Sequence, residues 1–196
     1  MVFVDIDTIK PVFDVSSDDK RLIDEIERKL DLINISDNLR IKSRVRSVYS
    51  SLAIEDNSLP IESTLKIIQN KPVLGRKKEV QEVKNANELY ENMKDYNFKS
   101  EKDFLRAHSI MMKYFDDDNG YYRNHGEGVK RGDEIIYRAP DSIIVPSLMK
   151  SLFSFVSSNN GKIHPLVLSA IFHYYFVYIH PFSDGNGRLA RFWVSL

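Results

Sequence analysis

The sequence contains no cysteine. Disulfides, thiolate metal sites and a cysteine nucleophile are therefore excluded. It carries no excess charge of either sign, since Lys+Arg and Asp+Glu both number 28. No global field draws such a chain to nucleic acid or an anionic membrane, so neither partner is expected and any anion site must be local. No window approaches the roughly 20 apolar residues that a membrane span requires. The opening MVFVDIDTIKPVF lacks the basic n-region of a signal peptide. A cytoplasmic protein is the expectation. Histidine is sparse, with 5 in 196 residues. None falls in an HxxxH or HExxH spacing, which argues against zinc. Repeats and low-complexity tracts are absent too.

What remains is ordinary globular composition, 42% hydrophobic and 29% charged. The length suits one domain with a proper core, with room for a small N-terminal extension. Residues 1 to about 15 read as an irregular lead-in. Ser16-Ser17-Asp18-Asp19 is a helix start with acids in the first turn, followed by Leu22, Ile23, Ile26, Leu30 and Leu32 at helical spacing. Ser36-Asp37 starts a second helix that Leu39, Ile41, Val45, Val48 and Leu52 carry to about Ile54. Pro60 suits the first position of a short helix ending near Asn70. A polar helix is expected from Lys77 to Lys94. Ser100-Glu101-Lys102-Asp103 resembles a capping box, with an apolar stripe from Phe104 to Phe115.

Residues 116–128, DDDNGYYRNHGEG, form a loop by composition. Val129-Lys130 and Ile135-Ile136-Tyr137 flank a turn containing Gly132, the one β-hairpin expected. Pro146 opens a helix ending before Ser157. Pro165 opens the most hydrophobic one, LVLSAIFHYYFVYI, apolar nearly all round and hence central. The fold class is mainly α. His108 and His173 read as core or interface residues, and Trp193 as core.

The segment after the central helix carries chemistry. Pro181 disfavours helical geometry at His180, so the helix stops there. Ser183-Asp184-Gly185-Asn186-Gly187 follows, and helical spacing resumes from Arg188. Gly185 and Gly187 can adopt positive φ and aim backbone N–H groups into one concavity. The unpaired amides of the next helix point the same way, which makes an anion site. Arg188 and Arg191 share a face of that helix's first turn, where cations oppose the macrodipole by roughly 0.3–1 kcal/mol each. That placement makes sense if a polyphosphate lies in front of them. Asp184 can hold Mg²⁺ between phosphate oxygens. His180 has the pKa range of a general base. Each feature alone has a structural reading as a turn, a cap or a solvated face. Their order within one short segment is chemically coherent.

HPFSDGNGRLAR, from His180 to Arg191, matches the signature HxFx(D/E)GNGRxxR of the Fic family at every specified position. The resemblance extends to YYRNHGEGVKRGDEIIYRAPDSIIVPSLMKSLFSF, which is similar to the family's loop and hairpin flap, and more weakly back to Leu22. It implies a Fic-type helical bundle with one short hairpin, and a protein adenylyltransferase that moves AMP from ATP to a Tyr, Thr or Ser hydroxyl. His180 would be the base and Phe182 the loop's anchor in the core. Asp184 would be the Mg²⁺ ligand, and Gly185, Asn186 and Gly187 the anion hole. Arg188 would hold the β- and γ-phosphates and Arg191 the γ-phosphate. Glu134, Ile135, Ile136 and Tyr137 would align the target backbone by strand addition.

Ser51 and Glu55 lie four apart on one helix face. By resemblance they match the inhibitory motif (S/T)xxxE(G/N), whose glutamate pairs with the second motif arginine. Asp56 stands where that motif has Gly or Asn. Residues 1–75 would then be an N-terminal region whose inhibitory helix spans about 37–57, and 76–196 a Fic core. The expected partners are ATP, a protein target that includes the chain itself, and a second copy. The motif helix stops inside the apolar run Phe192 to Leu196, which suggests a chain cut short there. Two rival readings share the fold. In one, a Glu55-positioned water removes AMP; in the other, the chain is a non-catalytic nucleotide-binding module.

Overall fold

The structure, a computed structural model, describes residues 11–33, 36–115, 119–131 and 134–196. Its helices are α1 (Ser17–Asp31), α2 (Asp37–Ala53), α3 (Ile61–Ile68), α4 (Lys77–Glu91), α5 (Glu101–Met111), α6 (Val145–Asn159), α7 (Pro165–Ile179) and α8 (Asn186–Trp193). Two strands, β1 (Gly128–Arg131) and β2 (Glu134–Arg138), pair antiparallel between α5 and α6. The register shifts between Val129 and Lys130, and the expected Gly132-Asp133 turn lies outside the described residues. The mainly α reading and the hairpin both hold.

Helix starts follow local polar chemistry. Ser16 and Asp19 form a capping box, and the Ser36 and Ser100 hydroxyls each accept an N–H from the residue three on. At α7 the His164 ring takes that part, accepting from the Leu166 amide at 3.2 Å. Helix ends differ more from expectation. Pro60 stands at the N-cap of α3 rather than inside it. Asn92 leaves helical geometry, so α4 ends at Glu91 and a 3₁₀ turn, Met93–Asp95, follows. α5 ends at Met111, and the chain turns away at Tyr114, φ 73°. α6 runs through Ser157 and Ser158 to Asn159, because both serine side chains face solvent beside the buried Val156.

The core centres on Phe104 of α5. Its ring lies 5.0–6.1 Å from those of Phe153, Phe172, Phe176, Phe182 and Trp193, mostly edge-on. α7 runs through this cluster and buries Leu168, Ile171, Phe172, Tyr175, Phe176 and Ile179. It is not apolar-buried all round, since Tyr174 and Leu166 are exposed. α1 buries no residue fully, and of its expected apolar stripe only Ile23 is partly covered. A Glu27–His164 contact of 2.9 Å ties the helix to the start of α7. α2 and α3 pack onto α4, and α2 also reaches α8. The end of α2 therefore lies against the helix that carries the two motif arginines. No helix among the described residues is long and apolar enough to cross a membrane.

Candidate active site

α7 ends in a left-handed residue. His180 has φ 50° and ψ 60° and caps the helix where Pro181 forbids continuation. Its imidazole is half-buried and hydrogen-bonds the carbonyl of Val177 one turn back. Burial lowers its pKa below the ordinary histidine value, and the Arg123 charge adds to this; the Val177 bond and the Glu127 and Asp184 charges oppose it. A neutral imidazole keeps a lone pair on one ring nitrogen. That is the state a general base needs.

The loop after His180 is nailed into the core. Phe182 is fully buried, and its ring stacks on the His108 ring at 3.6 Å between centroids and 5° between planes. Gly120 donates its amide to His108 Nδ1 at 2.9 Å, which leaves Nε2–H to donate to the Asp184 carbonyl at 3.0 Å. Asn186, also buried, clamps Phe182 from both sides: Nδ2 donates to the Phe182 carbonyl (2.7 Å) and Oδ1 accepts the Phe182 amide (3.0 Å). Its side chain thus shapes the loop. Gly185 has φ 79°, and a Cβ there would meet Met112 Sδ at 2.7 Å. Gly187 differs from the expectation. It is helical, not left-handed, and it is small because a Cβ would lie 2.6 Å from Glu55 Oε1 and 3.0 Å from Arg191 Nη1.

The amide end of α8 therefore has a carboxylate against it. Arg191 Nη2 donates to Glu55 Oε1 at 2.6 Å and to the Ser51 carbonyl at 3.0 Å, while its Nε donates to Ser51 Oγ at 3.0 Å. Ser51, in the last turn of α2, and Glu55, in the turn that follows it, thus both meet the second motif arginine. Asp56 takes the left-handed conformation, φ 62°, that terminates this helix. Asn57 then turns inward and donates to the Glu79 carbonyl and to Glu82 Oε2.

Arg188 points elsewhere. It is buried, with Nη2 2.7 Å from Asp184 Oδ1 and Nη1 3.7 Å from Glu82 Oε1, and its Nε has no partner among the described residues. Burial would raise the Asp184 pKa, but the Arg188 charge, its hydrogen bond and the Gly185 amide hold it below the usual carboxylate range. Both motif arginines grip acids of the chain itself.

Two further residues join the site without any signal in the sequence. Glu82 is one; Arg123 is the other, buried with its guanidinium against the His180 carbonyl at 2.7 Å. His125 Nε2 lies 3.0 Å from Ser183 Oγ, between hairpin and motif loop. Within β2, which carries Glu134, Ile135, Ile136 and Tyr137, the Tyr137 hydroxyl donates to the Tyr178 carbonyl on α7. The hairpin therefore stands beside the helix end that bears His180.

A family model, Fic/DOC family, matches residues 98–196, which hold the hairpin and the segment from His180 to Arg191. The chain belongs to the Fic/DOC family. A solved Fic family protein from Desulfovibrio desulfuricans G20 is 38% identical, with a TM-score of 0.88 over 95% of this chain and 59% of that one. Protein adenylyltransferase Fic of Nematostella vectensis is 30% identical over 88% of this chain and 43% of its own length. The protein of the same name in Aedes aegypti is 27% identical over 88% of this chain and 37% of its own. The chain thus spans less than half the length of these two relatives. The fold is the Fic fold.

Among the described residues no three His, Cys, Asp or Glu side chains cluster as a metal site. A Fic loop with one carboxylate still fits Mg²⁺. The Asp184 side chain is 61% exposed, and Mg²⁺ commonly takes one or two protein carboxylates plus substrate phosphates and water.

Proposed function

We propose that the chain is an ATP-dependent protein adenylyltransferase held in an inhibited state by Glu55. The observation that carries this reading is the Glu55 carboxylate, which rests against Gly187 at the amide end of α8 in the grip of Arg191. A site that draws an acid from a separate helix to a helix N-terminus and an arginine is built for anions. The terminal phosphate of ATP has the same oxygen chemistry and would compete with Glu55 for Arg191.

In the active form the triphosphate lies along the Gly185-Asn186-Gly187 main chain, with Arg188 and Arg191 on its outer phosphates. His180 accepts the proton of the target hydroxyl, whose oxygen forms a bond to the α-phosphorus. The bond from that phosphorus to the bridging oxygen breaks, and pyrophosphate leaves. Asp184 would hold Mg²⁺, whose charge would offset that of the phosphates. Most of the catalysis is positioning and charge placement, which suits a loop fixed by Phe182, Asn186 and His108. The edge of β2 from Glu134 to Tyr137 would hold the target segment by main-chain hydrogen bonds.

Wild type, Glu55→Gly and His180→Ala are incubated with ATP labelled at the α-phosphate and with cell lysate, and labelled bands are read by mass spectrometry. Glu55→Gly labels itself or lysate proteins at least about tenfold faster than wild type, equivalent to about 1.4 kcal/mol in barrier. In the Glu55→Gly background, His180→Ala removes the label by about 10²–10⁴-fold. Tight ATP binding by Glu55→Gly with no transfer of label would overturn the reading.

A further inference from the structure

Arg123 is 4% exposed, yet its bonds run to main-chain carbonyls rather than to a carboxylate. Nε donates to the His180 carbonyl at 2.7 Å, and Nη2 reaches the Ile179 carbonyl at 3.4 Å. Its own amide donates to the Pro181 carbonyl at 2.9 Å. On the other side, Nη1 donates to the His125 carbonyl at 2.6 Å and Nη2 to the Pro140 carbonyl at 2.6 Å. His125 precedes β1 and Pro140 follows β2, so these are the two roots of the hairpin. The Ala139 amide closes the same base on the Glu127 carbonyl at 2.9 Å.

The carbonyls of Ile179 and His180 are orphans of the last turn of α7, and a cation there complements the helix dipole. His180 also sits in a left-handed conformation that costs an L-residue roughly 1–2 kcal/mol. Something outside the helix must hold it. We infer that Arg123 is the positioning residue of this site, one guanidinium that fixes the main chain of His180 and both hairpin roots in a single frame. The inference rests on the reaction proposed above. There, the base must lie within hydrogen-bond reach of a hydroxyl that the hairpin presents, and a misplacement of about 1 Å can cost on the order of 10²-fold.

Only a planar fork satisfies this set. The receiving carbonyls diverge over two sides of the guanidinium, and a lysine would offer three donors from one point on a shorter reach. Arg123 makes none of its hydrogen bonds to Gly185, Gly187, Arg188 or Arg191. Its loss therefore separates chemistry from nucleotide binding.

The test uses Arg123→Lys and Arg123→Gln, each built on Glu55→Gly. Three quantities are read well below the melting temperature: ATP affinity by calorimetry, the label-transfer rate at saturating ATP, and the ring-nitrogen chemical shifts of His180. Transfer falls about 10²-fold while ATP affinity changes less than about threefold. The His180 ring, which holds one tautomer against Val177 in the parent, shows averaged shifts in the variants. Unchanged transfer and unchanged ring shifts in a folded variant overturn the inference. So does loss of folding in both variants, which marks a brace for the fold alone. If Glu55→Gly by itself transfers no label, the proposed reaction fails, and the ring shifts alone decide whether Arg123 orders His180.

Discussion

His180 illustrates how far a single residue is set by its surroundings. Burial is the largest influence on its imidazole and disfavours the charged form, so its pKa lies below the ordinary 6.5 despite the nearby Glu127 and Asp184. The neutral base is then already formed at neutral pH. Label transfer by Glu55→Gly is expected to rise with pH along a limb whose midpoint lies below about 6.5, and to be flat above it. A pH–rate profile with its midpoint above 7 would contradict this. Stability follows the same sign. The unfolded chain takes up the His180 proton at a higher pH than the folded one, so the contribution of the neutral imidazole is full above about 6.5. It is lost as pH falls through the window down to the folded pKa. At this scale the sequence was most informative where residue type and local spacing coincide. His180, Asp184, Gly185, Arg188 and Arg191 stand out in that way, whereas Ser51 and Glu55 are marked only by their resemblance to the family's inhibitory motif. Arg123 and His108 do not stand out, because the groups they hold lie 57 and 76 positions away. An isolated arginine in a loop carries no periodicity, and neither does a histidine on an apolar stripe. Gly187 was legible as a glycine but not for its reason, which is the Glu55 carboxylate arriving from α2.

Two helix ends control the site, and both depend on left-handed backbone. Gly185 turns the chain into α8 with φ 79°, and its Cα faces Met112 and His108. Gly185→Ala adds backbone strain and a close contact with the Met112 sulfur, so about 1–3 kcal/mol of stability should be lost. Thermal or denaturant unfolding measures it, and a loss under about 0.5 kcal/mol would show that the loop accommodates the methyl group. Asp56 ends α2 with φ 62° and pays no glycine entropy, but it bears the strain of an L-residue. Asp56→Gly is expected to stabilise the fold by roughly 0.5 kcal/mol and to leave Glu55 firmly on Arg191, so label transfer by the otherwise wild-type chain should stay low or fall. A rise in transfer would mean that the Asp56 turn does not set the position of Glu55. The starts of α1, α2 and α5 were readable because a serine cap acts within three residues. Ends were less so. α5 stops at Met111 with no local residue to announce it, while α6 runs on to Asn159, where Asn160 and the left-handed Gly161 (φ 79°) end it.

Over the whole molecule, the anion site and the hydrophobic core are one object. Phe182 lies two residues beyond His180 and two before Asp184, and its ring belongs to the same aromatic cluster as Phe104, Phe176 and Tyr122. The loop therefore has no freedom that the core does not allow. α5 supplies both Phe104, at the centre of the cluster, and His108, which stacks on Phe182 and bonds the Asp184 carbonyl. A cavity at Phe104 would be felt at the motif loop through both routes. Phe104→Ala is expected to cost about 3–5 kcal/mol, a large share of the 5–15 kcal/mol typical of a domain. At a temperature where the variant remains folded, its transfer rate in the Glu55→Gly background should also drop, because the seat of Phe182 has lost a wall. Leu30→Ala on the exposed face of α1 is the matched control, since Leu30 is exposed and no residue of α1 is fully buried; it should leave both quantities nearly unchanged. Full transfer by a folded Phe104→Ala protein would separate the site from the core. The loop would then be held by Asn186, His108 and Arg123 alone.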